Sequence, residues 1–346
     1  IPSPAVAGLA EAMGDKPLCG GCGAKLGAAD LSAALSTLPA PTRGDVISGP
    51  GDDAAILRAE GAVQVITTDH LRSFTNDARL MARIAAIHAM GDVWAMGAAP
   101  QVALAQVTLP PLSPEKGADM LAEIMAEAAE VFRAAGADVV GGHTSIGAEL
   151  TIGFTVTGLA PRAITKGGAQ PGDVLILTKP IGAGTIMAAE MAMARLPGLI
   201  LGEAVAAALT AMSQPNGPAA ALLAPHAHAM TDVTGFGLGG HLLEILDASG
   251  CAATLDLSAI PTLPGALALA AAGQSSSLAP ANRAATIGRI SGPDSAAKAL
   301  LYDPQTAGGL LAAVPADTAD ALLTALGPSA ARIGTITSGP PRITLI

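Results

Sequence analysis

The densest chemistry in the chain is Cys19-Gly20-Gly21-Cys22-Gly23-Ala24-Lys25, which puts two thiols and an amine within seven residues. Glycine tolerates φ > 0 and lets a backbone approach a ligand closely. The segment therefore reads as a mobile loop that presents a nucleophile. A thiol near an ammonium has a lowered pKa, because the positive charge favours the thiolate. A redox pair, half of a zinc site and a plain structural loop are the competing readings. Zinc needs about four ligands, and the chain has no second cysteine pair. A thioredoxin-like motif opens directly into a helix, whereas Gly23 intervenes here. The catalytic thiol is the favoured reading.

A second group consists of carboxylates. Asp53, Asp69, Asp92 and Asp232 stand at the ends of apolar runs, Asp53 beside Gly51-Asp52 and Asp232 in Asp232-Val233-Thr234-Gly235-Phe236-Gly237. Carboxylates placed like this can converge in space, and Mg²⁺ takes oxygen ligands while bridging substrate phosphates. Each aspartate alone also suits a helix cap or a turn. Gly141-Gly142, Gly182–Gly184, Gly235–Gly240 and Gly308-Gly309 read as glycine-rich loops whose N–H groups can cradle phosphate. None matches a P-loop or a dinucleotide fingerprint. His143 and His88 read first as packing residues, and at most as groups that support a site.

The elements that must position these residues follow from composition and periodicity. A chain of 346 residues allows two domains with sizeable cores. It is 51% hydrophobic but only 2% aromatic, and alanine supplies much of the apolar share. Its uncharged stretches, Val93–Ser113, Ala204–Thr231 and Leu257–Asn282, are interrupted by Pro and Gly, so none suits a membrane span. The net charge of −10 argues against a nucleic-acid surface. Three cysteines suit a reducing, cytoplasmic setting better than a disulfide framework, and Cys251 reads as a core residue. No signal peptide is visible. The start at Ile1 is expected of a processed chain or an excised domain.

Residues 1–17 read as a linker or arm and Ala29–Leu38 as a short helix. Ala62–Asp69 reads as a strand ending in a carboxylate, Asp77–Met96 as a helix and Val102–Leu109 as a strand. Pro114–Ala135 has the clearest helical stripe. Glu149–Leu159 and Asp173–Thr178 read as strands, Leu238–Ser249 as a helix, Ala252–Leu257 as a strand and Gly273–Asn282 as a long loop. Ala160–Gly172 is the expected boundary, giving domains at 18–160 and 173–346. Strands and helices mix without strict alternation, which predicts α+β domains.

Taken together, these motifs resemble the selenide, water dikinase (selenophosphate synthetase) family. That family sits in a superfamily with aminoimidazole ribonucleotide synthetase, thiamine-monophosphate kinase and the hydrogenase maturation carbamoyl-dehydratase. The resemblance runs from about Cys19 to the end. Gly21–Lys25 is similar to the family's G-[C/U]-x-x-K loop, which implies a reactive residue at Cys22 and an essential lysine at Lys25. Asp52–Ala55, Thr67–Asp69, Gly91–Gly97, Gly141–His143, Leu177–Gly184, Asp232–Gly237 and Asp303–Gly309 resemble the family's other motifs. Ala24, His88, Gly91 and Ala307 depart from its pattern.

The resemblance implies a two-domain fold of mixed sheets and helices, with ATP and selenide as substrates. It implies Mg²⁺ on Asp53, Asp69, Asp92 and Asp232, and ATP or phosphate contacts at Asp69, Gly141, Gly142, His143, Gly235 and Gly237. A homodimer is implied, as is a fused or associated flavin- and pyridine-nucleotide-dependent oxidoreductase domain. The alternatives are a kinase of the thiamine-monophosphate kinase type and a regulatory module of a fused redox enzyme.

Overall fold

A computed structural model describes residues 19–25, 27, 31, 35, 41–48 and 51–346. The expected arm over 1–17 lies outside the described residues. So does most of the expected helix at 29–38, of which Leu31 and Leu35 are described, both helical. The architecture is α+β, built on two mixed sheets.

The first sheet contains β1 (Val46–Ser48), β2 (Ala55–Ala59), β3 (Ala62–Arg72), β4 (Ala99–Leu109), β5 (Asp138–Ile146) and β6 (Thr151–Ala160), in the order β1-β2-β3-β6-β4-β5. Side chains alternate across a strand. On β3, Val65, Thr67 and Leu71 are buried while Thr68 and His70 are exposed, so Asp69 belongs to the inward set. That set meets the helix Ala78–Ala95, which Asp77 caps by accepting the Leu80 N–H at 3.0 Å. Thirteen of its residues are buried, among them His88. A helix buried on nearly every side lies inside the molecule. It contacts β3, β4 and β6 of this sheet and also β8 of the second. The helix Pro114–Ala134 covers the rest, with Phe132 against Phe154 of β6 at 5.0 Å between ring centres.

The second sheet contains β7 (Val174–Leu177), β8 (Ala229–Asp232), β9 (Ala252–Leu255), β10 (Ile290–Ser291), β11 (Leu310–Val314), β12 (Ala331–Thr337) and β13 (Ile343–Leu345), in the order β10-β13-β9-β12-β7-β11-β8. Every residue of β7 and β11 is buried. Strands covered on both faces read as continuous apolar runs rather than alternating ones. β8 lies at the edge and delivers Asp232 at its end, opposite Leu310.

Several expectations need correction. The strand carrying Asp69 continues to Arg72, and the expected loop at Gly273–Asn282 gives way to a helix over Ala279–Ala285. Gly141, Gly142 and His143 lie in strand β5, not in a loop. β5 pairs in parallel with β4, and a Cβ at Gly142 would stand 2.2 Å from the Ala105 carbonyl oxygen. Glycine there permits a close approach between two strands. Among the described residues, no helix is long and apolar enough to cross a membrane.

Candidate active site

The loop that opens the chain's chemistry is pressed against both halves of the molecule. Gly21–Ala24 form a single 3₁₀ turn, with Gly21 at φ 58. The Cys22 N–H donates to Thr306 Oγ1 at 3.2 Å. The Cys19 N–H donates to Ser277 Oγ at 3.3 Å, and the Ser277 N–H donates to Cys19 Sγ at 3.4 Å. Ser277 Oγ also donates to the Gly23 carbonyl at 3.1 Å. On the other side, a Cβ at Gly20 would come within 2.3 Å of the Ser73 carbonyl oxygen. Cys22 is thereby fully buried, while Cys19 keeps partial exposure.

The Cys22 sulfur meets a short polar chain. It lies 3.3 Å from His88 Nε2, and the same nitrogen lies 3.2 Å from Asp69 Oδ2. Lys25 Nζ reaches Asp69 at 3.0 Å from Oδ1 and 3.1 Å from Oδ2. The other ring nitrogen, Nδ1, accepts the Ala307 backbone N–H at 3.4 Å. Which ring nitrogen carries the proton is decided by the bond the other makes, so here it sits on Nε2. Burial lowers, while Cys22 and Asp69 raise, the ring's affinity for a second proton, with a net upward result. The Ala307 N–H, however, is aimed at the only nitrogen that could take that proton. Burial pushes the Cys22 thiol up, but His88 and Lys25 together bring it below its ordinary value. Burial likewise opposes the Asp69 charge, and His88 and Lys25 hold its carboxyl well below the usual range.

Next to this chain, Asp53, Asp92 and Asp232 offer oxygens that all lie within 4.8 Å of one another. Asp92 is on the Ala78–Ala95 helix, Asp232 ends β8, and Asp53 precedes β2. Thr67 Oγ1 donates to Asp92 and Thr231 Oγ1 to Asp53, the latter at 2.8 Å. Asp53 Oδ2 and Asp232 Oδ2 are buried without any hydrogen-bond partner. Three hard oxygen donors, two of them with an unpartnered oxygen, fit a divalent cation such as Mg²⁺. Burial and the neighbouring Asp53 push Asp232 up to about 6, and burial with Asp232 pushes Asp92 up as well. Lys166 relieves part of the repulsion: its Nζ lies 3.0 Å from Asp53 Oδ1 and 3.0 Å from Glu244 Oε2. His241 extends that network, with Nδ1 3.1 Å from Glu244 and Nε2 3.3 Å from Thr234 Oγ1.

The raised carboxylates predict an inverted pH response. A group whose folded pKa lies above its unfolded value stabilises the protein below the unfolded pKa and ceases to do so as pH rises through the folded one. For Asp232 that window runs from the ordinary aspartate range up through about 6. From Asp232 alone the metal-free protein is therefore expected to lose on the order of 1–2 kcal/mol between pH 5 and pH 8. Mg²⁺ should restore more stability at pH 8 than at pH 5. Melting curves in chelator and in Mg²⁺ at both pH values check this. A chelated protein no less stable at pH 8 would contradict the assignment of a repelling cluster.

A cavity of about 430 Å³ joins the groups: Lys25, Asp53, Asp69, Asp92, Lys166 and Gly235 line it. A larger, mainly apolar cavity of about 530 Å³ beside Trp94 contains none of them.

Of the expected site residues, Cys22, Lys25, Asp53, Asp69, Asp92, Asp232 and Gly235 come together. Asp69 borders the same cavity as Asp53 and Asp92 but lies outside the group of three carboxylates, and its oxygens pair with Lys25 and His88. Gly235 passes beside the Lys25 side chain, where a Cβ would lie 2.9 Å from Cδ. Gly237, at φ 72, starts the helix Gly237–Ser249, where a Cβ would lie 2.6 Å from the Leu301 carbonyl oxygen. Gly141, Gly142 and His143 line no part of the cavity in one chain. The sequence reading undervalued His88 and missed Lys166, His241 and Glu244. His88 stands four residues before Asp92, one helical turn away on the same face, and that spacing was its signal. Lys166 carried none.

Known proteins are similar to this chain over nearly its full length. The family model for the AIR synthase related protein N-terminal domain matches residues 51–160, and that for the C-terminal domain matches residues 170–345. A selenide, water dikinase of Desulfitobacterium hafniense strain Y51 is 40% identical, over 92% of this chain and 94% of the relative. One from Rhizobium meliloti is 37% identical, over 98% and 99%. Among solved structures, AaThiL complexed with AMPPCP and TMP superposes with a TM-score of 0.69 at 18% identity, covering 92% of this chain and 93% of that one.

Proposed function

Since the chain belongs to the selenide, water dikinase family within the AIR synthase related proteins, we propose that it makes selenophosphate from ATP, selenide and water, releasing AMP and phosphate. The observation that carries this reading is a cavity lined by Lys25, Asp69 and two carboxylates of the three-aspartate cluster, with the buried Cys22 thiol joined to it through His88 and Asp69.

Phosphoryl transfer is mainly a matter of positioning and charge neutralisation. Asp53, Asp92 and Asp232 would hold Mg²⁺, and the metal supplies positive charge to the ATP phosphates when bound. Lys25 points its ammonium into the same cavity, where Asp69 aligns it to meet charge developing on the transferred group. Cys22 is the soft nucleophile suited to selenium. The closed loop keeps water from the thiol until selenide is delivered. In this reading residues 18–160 carry the loop and most of the metal site, and 173–346 supply Asp232 and the loop's anchors.

A homodimer accounts for the outer face of the first sheet. Leu104 and Leu159 are 46% and 38% exposed there among Gln64, Gln101, Gln106 and Thr157. Gly141–His143 lie on the strand bordering that face, so their expected phosphate contacts would be made to a second copy's site. Three free cysteines suit a reducing, cytoplasmic setting. A flavin- and pyridine-nucleotide-dependent oxidoreductase, fused or associated, is the partner this reading expects.

Phosphorus NMR of an anaerobic mixture of protein, Mg²⁺, ATP and selenide tests the proposal. Selenophosphate together with AMP and phosphate is the expected result. ADP with phosphorylation of a different acceptor, independent of selenide, would favour a kinase of the thiamine-monophosphate type.

A further inference from the structure

The Nε2 nitrogen of His88 is the only side-chain nitrogen within hydrogen-bonding distance of Cys22 Sγ among the described residues, and both groups are buried. The charged groups around the sulfur are Asp69 from β3 and Lys25 from the loop, with Asp92 beyond Lys25. None of these donates directly to it. The Ala307 N–H, arriving from the second half of the chain, occupies Nδ1. Ala307 is itself held at φ 48, a conformation that a non-glycine residue rarely adopts. The N–H that faces the ring is thus carried by a backbone held in an uncommon conformation. The consequence is a ring whose one hydrogen, on Nε2, faces both Cys22 Sγ at 3.3 Å and Asp69 Oδ2 at 3.2 Å, and which has no free lone pair with which to take a proton from Cys22.

We infer that His88 is the positioning residue for Cys22. Its Nε2–H, fixed by the Ala307 backbone, donates to the sulfur and holds it as a thiolate in line with Asp69 and Lys25, and His88 does not act as the base that deprotonates it. The inference rests on Cys22 being the reactive thiol of the proposed reaction. It gives the second half of the chain a direct hold on that thiol, through Ala307, in addition to the Thr306 hydroxyl on the Cys22 N–H. It also supplies a reason for the histidine four residues before Asp92, one of the positions that depart from the pattern of the family the chain resembles: its side chain is long enough to reach the sulfur.

The test compares His88→Gln, His88→Asn and His88→Leu with the parent in the full chain. A glutamine amide can place an N–H near the Nε2 position, whereas the shorter asparagine reaches only the Nδ1 position. The first readout is the pH midpoint of iodoacetamide alkylation at Cys22, followed by peptide mass spectrometry. Loop opening scales the rate at every pH and leaves the midpoint in place, whereas loss of a donor to the thiolate moves it. The midpoint should rise by about one pH unit in His88→Leu and His88→Asn and return toward the parent value in His88→Gln. The second readout is steady-state kinetics, in which kcat for selenophosphate should fall in step while the KM for ATP holds. Thermal shift with Mg²⁺ and ATP establishes that each variant is folded. An unchanged midpoint in all three variants, or glutamine behaving like leucine, would overturn the inference. Because alkylation needs no turnover, a parent protein that makes no selenophosphate counts against the proposed reaction alone.

Discussion

Asp232→Asn is expected to abolish Mg²⁺-dependent ATP turnover while leaving the metal-free protein as stable as the parent or more so. The two effects have one origin. Asp232 is fully buried and its Oδ2 has no hydrogen-bond partner, so the carboxylate spends its burial facing Asp53 and Asp92. Removing its charge removes a ligand of a hard cation, and loss of even a supporting group around a metal costs about 10–100-fold. The turnover deficit should therefore exceed about 100-fold. In the absence of metal the same change relieves repulsion and gives the Asn N–H₂ two carboxylate acceptors. Melting in chelator and ATP turnover in Mg²⁺ separate the two effects. Parent-level turnover would remove Asp232 from the metal site. Collapse of the metal-free fold would mean that the cluster is a structural network and does not repel itself.

Cys22→Ser should eliminate selenide-dependent product, by more than about a thousandfold, while Mg²⁺-ATP binding persists. A serine hydroxyl is hardly ionised at neutral pH, and oxygen lacks the softness that suits sulfur to selenium. ATP binding rests on the carboxylates and metal, which the change does not touch. Cys19→Ser is the internal contrast. Cys19 faces Ser277, not His88, and a serine oxygen can accept the same Ser277 N–H. Most activity should therefore remain. Selenophosphate formation and ATP affinity for each single variant under reducing conditions give the answer. Loss in Cys19→Ser with retention in Cys22→Ser would reverse the assignment of the two thiols.

Much of the α+β fold was legible because its elements repeat with simple periods. The stripe in Pro114–Ala134 and the apolar runs at Val174–Leu177 and Leu310–Val314 announce themselves locally. The strands β1, β12 and β13 do not, because each gains definition only from the strand beside it. Glycines misled at Gly141-Gly142 because a tight strand pairing and a phosphate loop demand the same residue for the same steric reason. Within the site, Cys22, Lys25 and the aspartates were legible as residue types suited to chemistry. Their partners were harder to see. Lys166 reaches Asp53 from 113 positions along the chain, and no local pattern encodes a contact of that length. Asp69 was legible as a site carboxylate, but its pairing with Lys25 and His88 was not, since it arises only when three separate segments meet.

The close approach at Gly91 links residues that the chain holds far apart. A Cβ there would stand 2.3 Å from Asp232 Oδ2, and Gly91 lies in the helix Ala78–Ala95 whereas Asp232 belongs to the second sheet. A side chain at position 91 is tolerable only if the carboxylate at 232 turns away, and a turned carboxylate reshapes the cluster with Asp53 and Asp92. The two positions are thus bound by epistasis. Neither can drift freely during divergence, and a residue harmless at 91 in one relative can be damaging in another whose carboxylate is turned differently. Recombining the first half of one homologue with the second half of another should fail most often at this seam, even where each half folds correctly in its own background.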